Sequence, residues 1–226
     1  MFVYVGAYTE PPLGTADGIG VFRFDADTGA LHPVQTVPEV VNPSWLTLDG
    51  PEQILFAVNE EDEGRVSAFA RDAATGTLRA LNDQFSHGAA PCYVSLDPSA
   101  RFILVANYSG GTVAVLPVAA NGQLDAATCV IHHQGSSIRP EQEGPHPHMI
   151  RPSVDGRFVL VTDLGIDQVL VYRLDTSTGQ LALNEPGTAV VSEHPGAGPR
   201  HFALAASGRT LYVINELNAT VTVYDS

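Results

Sequence analysis

The chain has 226 residues, with 25 acidic side chains against 11 basic ones and a formal net charge of −14. All the cations are arginines, which excludes Schiff-base chemistry, a lysine general base and a Walker-type phosphate loop. An acidic excess of this size speaks against nucleic acid or an anionic membrane as partner, because affinity there comes from neutralising phosphates.

Chain order shows one unit repeated. The β-rich run Met1–Gly6 has counterparts in Ile54–Asn59, Phe102–Asn107, Phe158–Asp163 and Leu211–Asn215. These runs end at residues 6, 59, 107, 163 and 215, so the unit recurs about every 50 residues. A second run follows each after a short gap: Gly20–Phe24, Val66–Phe69, Val113–Leu116, Val169–Tyr172 and Val221–Tyr224. Tight turns come next, at Gly29, Gly76, Gly122 and Gly179, each followed within two residues by a leucine. Ahead of the strong runs lie further strands that open on proline: Pro43–Leu48, Pro91–Leu96, Pro147–Pro152 and Pro199–Leu204. Each unit is therefore predicted to be four short antiparallel strands, the pattern of a β-propeller blade. No stretch carries helical periodicity, and the longest apolar runs, such as Phe158 to Val161, are strand-sized, which predicts no membrane-spanning helix. Residues 1–226 are read as a single all-β propeller domain of four to five blades that begins and ends inside a blade, and so is incomplete at its C-terminus, with a natural four-bladed ring as the alternative. An unclosed stack exposes the sheet faces that carry Phe2 to Val5 and Val221 to Tyr224, and self-association is expected from it. Two cysteines, Cys92 and Cys129, are too few for a disulfide framework, and no secretory signal precedes the first strand, so both are read as reduced and the compartment as cytoplasmic.

Alignment of the units also predicts which side chains meet. The first strand of each unit starts, and the second ends, at the same rim of a central channel. The residues after the shared proline are Ser44, Cys92, His148 and Arg200; the pairs at the second-strand ends are Asn59-Glu60, Asn107-Tyr108, Asp163-Leu164 and Asn215-Glu216. Asn and Asp at strand ends also act as turn formers. That leaves an imidazole, a guanidinium and a carboxylate, His148, Arg200 and Glu216, as the candidate catalytic constellation. His146, Asn107, Tyr108, Asp163, His201 and Asn215 are the candidate substrate-binding residues. The segment Ile131–His148 interrupts the repeat and holds four of the eight histidines. His146 and His148 share a face of extended chain, but no Cys or carboxylate spacing completes a zinc motif. His132 and His133 are read as solvated loop residues, Glu60-Glu61-Asp62-Glu63 as a solvated acidic face, and Trp45 and Tyr93 as core between blades. There is no Gly-x-Ser-x-Gly elbow or dinucleotide loop, and Gly196-Ala-Gly198 is read as a close turn.

Six motifs together resemble one family: Asn42-Pro-Ser-Trp-Leu, Ala106-Asn-Tyr-Ser-Gly-Gly-Thr-Val-Ala-Val-Leu-Pro117, Gly144-Pro-His-Pro-His148, Val161-Thr-Asp-Leu-Gly165, Gly196-Ala-Gly-Pro-Arg-His201 and Val213-Ile-Asn-Glu-Leu217. They are similar to the seven-bladed lactonases, which include a bacterial 6-phosphogluconolactonase type and a fungal carboxy-muconate lactonising type. The resemblance implies seven blades, a sugar lactone as small-molecule substrate, phosphorylated in the bacterial type, and no metal or organic cofactor. It also implies a histidine (His148 or His146), Glu216 and Arg200 as acting residues, while a second family arginine has no match in this chain. Lactone hydrolysis needs a base for water and a cation for the oxyanion; an unperturbed imidazole makes His148 the expected base. A lactonising enzyme and a non-catalytic scaffold remain the alternatives. Treatment with EDTA is expected to leave lactone hydrolysis unchanged; a loss restored by added zinc would instead make His146 and His148 metal ligands.

Overall fold

Nineteen β-strands and one short 3-10 turn at Pro140–Gln142 make up the computed structural model, which describes residues 1–184, 190–191 and 194–225. The strands form five antiparallel sheets in chain order. The first holds β1 (Phe2–Val5), β2 (Ile19–Phe24) and β3 (Leu31–Val37). The second holds β4 (Leu46–Leu48), β5 (Ile54–Asn59), β6 (Arg65–Arg71) and β7 (Leu78–Phe85), and the third β8 (Pro91–Leu96), β9 (Phe102–Asn107), β10 (Thr112–Pro117) and β11 (Cys129–His132). The fourth runs from β12 (Pro147–Pro152) through β13 (Val159–Asp163) and β14 (Gln168–Asp175) to an outer edge made of β15 (Gln180–Leu183) and β16 (Val190–Val191), both paired with β14. The fifth is β17 (Pro199–Leu204), β18 (Thr210–Asn215) and β19 (Thr220–Asp225). Among the described residues no helix is long and apolar enough to cross a membrane.

Sandwiching between sheets explains the unbroken apolar runs of the sequence. Every residue of β9 is buried, because it packs against β12 on one side and contributes Ile103 and Val105 to the cluster with the second sheet on the other. Phe56, Val58, Ile103, Val105, Ala114 and Leu116 form the core between the second and third sheets. A larger cluster including Leu104, Val115, Ile150, Val161, Tyr172 and Val213 joins the third, fourth and fifth. Each such buried side chain contributes roughly 1.5–3 kcal/mol. In the fifth sheet burial alternates, as a strand covered on one face requires: Tyr212, Ile214, Val221 and Val223 are 44–59% exposed.

The hairpin turns repeat at atomic detail. Gly76 N–H donates to the Asp72 carbonyl and Gly179 N–H to that of Asp175, each at 2.8 Å. Both glycines have φ near +75°, at 75° and 73°, a conformation that costs other residues free energy. The predicted strand from Pro43 is shorter than expected and begins at Leu46. Asn42 is the cause: its buried carboxamide accepts from Thr9 N–H and donates to the Glu60 carbonyl, which takes the backbone out of the ladder.

A second correction concerns His133, which is buried rather than solvated. It follows β11, and its Nδ1 lies 2.6 Å from Asp163 Oδ2 while Nε2 lies 3.0 Å from the Tyr172 hydroxyl. Asp163 Oδ1 also accepts the His146 and Gly165 amides. Burial, followed by the Asp163 charge, pushes the Tyr172 phenol up to about 12, so it stays a donor. This chain of polar groups latches the third sheet to the fourth. Asp163→Ala leaves three buried donors without an acceptor and is expected to cost on the order of 3–5 kcal/mol, measured by urea denaturation; a loss below about 1 kcal/mol would show that the sheets do not depend on the latch.

Candidate active site

One rim of the sheet stack encloses a cavity of about 460 Å³. The residue after each repeat proline faces it: Ser44, Cys92, His148 and Arg200. In three sheets the ladder shifts register at that residue, between Pro91 and Tyr93, Pro147 and Met149, and Pro199 and His201. Such a bulge re-aims a side chain, and here it turns Cys92, His148 and Arg200 toward the cavity. It also breaks the alternation expected of His146 and His148, which do not share a face. His148 lines the cavity, whereas His146 is buried beside it, stacked on Tyr108 with ring centroids 4.5 Å apart and its Nδ1 3.0 Å from the Tyr108 carbonyl.

The residue pairs at the second-strand ends divide their labour. Glu60, Tyr108 and Glu216 line the cavity; their neighbours Asn59, Asn107 and Asn215 turn into the sheets. Asn59 donates to the Val41 carbonyl at 3.1 Å and Asn107 to that of Ser86 at 2.9 Å. Asn215 donates to the Thr220 and Thr222 hydroxyls. Asp163 is consumed by the latch, and Leu164 after it is fully buried. The structure therefore brings together five of the candidate residues, His148, Arg200, Glu216, Tyr108 and His201, and holds Asn107, Asp163, Asn215 and His146 behind them as supports. Glu60 departs from the solvated-face reading, and Tyr8 and Ala7, on the loop after β1, complete the wall. That loop carries no repeat signature, so alignment could not place it.

Arg200 is the one Arg or Lys on the lining. Its Nε donates to Glu216 Oε2 at 2.7 Å, with both side chains about half exposed, at 45% and 46%. An ion pair so open to water is worth about 1 kcal/mol or less, so a bound anion can displace Glu216 cheaply. Opposite, Glu60 Oε2 accepts the Tyr8 hydroxyl at 3.0 Å and the Ser44 hydroxyl. Trp45 and Tyr93 stack at 4.3 Å, and His201 meets both edge-on. Trp45 borders this cavity and a second one of about 540 Å³ beyond the aromatic layer, and it also packs against the apolar clusters between the sheets, as expected of core between blades. Cys92 Sγ lies 3.7 Å from His148 Nδ1; burial and the Glu60 charge push its thiol above the ordinary range, so it remains protonated and is no nucleophile.

The environment overturns the expectation of an unperturbed imidazole. Burial first, then the Arg200 and His201 charges, lower His148 from 6.5 to about 3. Burial and Arg200 lower His201 to about 4. Both rings are neutral at physiological pH, and His148 is a poor proton acceptor. His201 Nε2 is buried with no partner among the described residues. Among the described residues no three His, Cys, Asp or Glu side chains are grouped to hold a metal ion. Gly196 and Gly198, at φ 84° and 66°, make the close turn expected ahead of Arg200. A Cβ on Gly198 would lie 2.6 Å from Leu217 Cγ. Asp167 clamps the turn by accepting both glycine amides.

Comparison with known proteins gives a consistent match. Residues 2–226 match the model of a family described as lactonase, 7-bladed beta-propeller. The chain is 35% identical over 219 residues to a 6-phosphogluconolactonase of Bacillus subtilis (strain 168), covering 96% of this chain and 60% of the relative. It is 29% identical over 226 residues to a 6-phosphogluconolactonase of Formosa agariphila, covering 98% and 63%. The solved periplasmic gluconolactonase of Pseudomonas aeruginosa superposes with a TM-score of 0.91 at 36% identity, over 99% of this chain and 63% of that one. The chain thus spans about three fifths of the length of these relatives.

The histidine shifts fix a pH dependence of stability. A folded-state pKa below 6.5 means that the unfolded chain binds more protons in between, so stability is full above pH 6.5 and falls as pH drops toward 4 and 3. On the order of 3 kcal/mol is expected to be lost by pH 4 through His148, with a smaller, solvent-screened part through His201. Denaturant titrations at several pH values measure it, and a chain carrying both His148→Asn and His201→Asn should show a flatter profile over the same range. An equal slope in both chains would place the acid sensitivity elsewhere.

Proposed function

The chain belongs to the family of seven-bladed β-propeller lactonases, and from that premise we propose that its rim cavity hydrolyses a sugar lactone, with 6-phosphogluconolactone, which feeds the oxidative pentose phosphate route, as the substrate. The observation that carries this reading is the Arg200–Glu216 pair facing neutral His148 in one cavity. A lactone carbonyl is electrophilic already. What hydrolysis requires is a donor where the oxyanion develops and a carboxylate to manage protons. Arg200 offers a permanent charge and a planar fork, and its half-exposed partner yields to an incoming oxyanion. The neutral imidazoles of His148 and His201 suit hydrogen bonds to sugar hydroxyls or the carbonyl. The names of the Bacillus and Formosa relatives support the phosphorylated substrate; with a net charge of −14 repelling it at long range, Arg200 is the group that would have to attract it.

Proton release from a panel of phosphorylated and unphosphorylated sugar lactones tests the reading, and the 6-phospho-δ-lactone is expected to have the highest kcat/KM. A higher value for the unphosphorylated lactone would keep the reaction and discard the phosphate. Arg200→Ala is expected to lower the rate on the order of 10²- to 10³-fold, and Arg200→Lys to recover little, since a point charge replaces a bidentate fork. Full recovery by lysine would refute the fork. The exposed Tyr212, Ile214, Val221 and Val223 support the further reading that this chain on its own self-associates; size-exclusion chromatography should show a species larger than a monomer, and a sharp monomer peak counts against it.

A further inference from the structure

We propose that Glu60 is the general base of this cavity, its carboxylate positioned by the hydroxyls of Tyr8 and Ser44. The inference rests on the lactonase reading and assigns the proton acceptor within it. Three separate segments converge on this carboxylate: the loop after β1 supplies Tyr8, the residue ahead of β4 supplies Ser44, and Glu60 itself leaves the end of β5. Both hydroxyls donate to the same oxygen, Oε2. No donor from the described residues reaches Oε1, which is therefore the oxygen open to a water in the cavity. A clamp on one oxygen with the other free is the geometry a base needs, since its direction is fixed while its acceptor site stays vacant.

The rival groups on the lining are otherwise engaged. Glu216 spends an oxygen on Arg200, and a proton arriving there would break the pair that holds the one lining cation. A proton arriving on Glu60 breaks no charge pair. His148 is held neutral, and the Cys92 thiol keeps its proton. Tyr8 is pushed up to about 12 by burial and then by Glu60, so it remains a donor to the carboxylate. The charged and titratable groups facing Glu60 are Tyr8 from the first sheet, Cys92 and Tyr108 from the third, His148 from the fourth, and Arg200, His201 and Glu216 from the fifth. Glu61 adjoins it on its own loop.

The step balances without any further reagent. Glu60 takes a proton from water as the water oxygen bonds to the lactone carbonyl carbon, and the carbonyl electron pair moves onto the oxygen that Arg200 faces. When that pair returns, the ring C–O bond breaks and the departing alkoxide takes the proton held by Glu60. The product is the open hydroxy acid, and the carboxylate is restored.

The test is kcat against pH for the full chain with a sugar lactone. Glu60→Gln is expected to lower kcat on the order of 10²- to 10⁴-fold with KM changed by less than about threefold, and to abolish the acid limb of the profile. Tyr8→Phe and Ser44→Ala each remove a hydrogen bond to the ionised carboxylate, so each should move the acid limb to higher pH, a change that a purely structural role would not produce. These two variants decide the matter should Glu60→Gln fail to fold, as judged by circular dichroism. Retention of kcat and of the acid limb in Glu60→Gln, or loss of that limb in Glu216→Gln alone, would overturn the assignment and leave the lactonase reading standing. Absence of hydrolysis by the unsubstituted chain would overturn that reading, and the role of Glu60 with it.

Discussion

The buried polar side chain that ends β5, β9 and β13 is the constraint on which the rim depends. Asn59 holds the Val41 carbonyl, Asn107 that of Ser86, and Asp163 the amide of His146. Each of those partners lies in the loop that leads into the first strand of the same sheet. The bond closes a ring between the two strand ends that meet at the cavity, and a buried group of this kind is costly to leave unpaired. In the third and fourth sheets, where the loop is pinned in this way, the chain enters the first strand through a bulge that turns Cys92 and His148 inward. The residue after the anchor is turned to the same space in the case of Glu60 and Tyr108. The site is a by-product of satisfying backbone and carboxamide groups at the same place in successive sheets.

The fourth sheet shows what happens when the anchor is charged. Asp163 replaces an asparagine and takes His133 as an additional partner, whose other ring nitrogen meets the Tyr172 hydroxyl. A carboxylate that accepts three hydrogen bonds can be fully buried where an unpaired one could not. The insertion between β11 and β12 supplies His133 and His146, so the departure from the repeat is matched by a departure at the anchor. The same insertion carries Ser137 to Asp167 and Arg139 to the Gly196 carbonyl, and so reaches the turn that presents Arg200. A segment that interrupts the repeat thus braces the site from the fourth sheet to the fifth.

Arg200 sets the electrostatics of the cavity. It is half exposed, yet its charge acts on His148 and His201, which it helps keep neutral, and on Tyr8, Cys92 and Tyr108, where it opposes burial. In a chain of net charge −14, one guanidinium facing two carboxylates makes a small dipolar site in an acidic surface. Burial has removed the imidazoles from the range where they accept protons readily, which leaves the carboxylates as the ionised acceptors on this lining.

The sequence by itself determined the repeat, the sheet class and the family. Strand runs, turn glycines and prolines recur at fixed offsets, and period-2 strands with tight turns leave few alternatives to stacked antiparallel sheets. Alignment of those offsets also placed Ser44, Cys92, His148, Arg200 and Glu216 at one rim, because residues at equivalent positions of a radial repeat are neighbours. Only the tertiary structure decided which member of each second-strand pair faces the cavity. A one-residue bulge in three of the first strands likewise re-aims the residue after the proline and leaves no mark in composition. Tyr8 escaped alignment because it sits on a loop with no counterpart, and Glu60 was hidden in an acidic run whose other members face solvent. The protonation of His148 was equally out of reach, since its burial against Cys92, Tyr108 and His201 depends on packing between sheets that are distant in the chain.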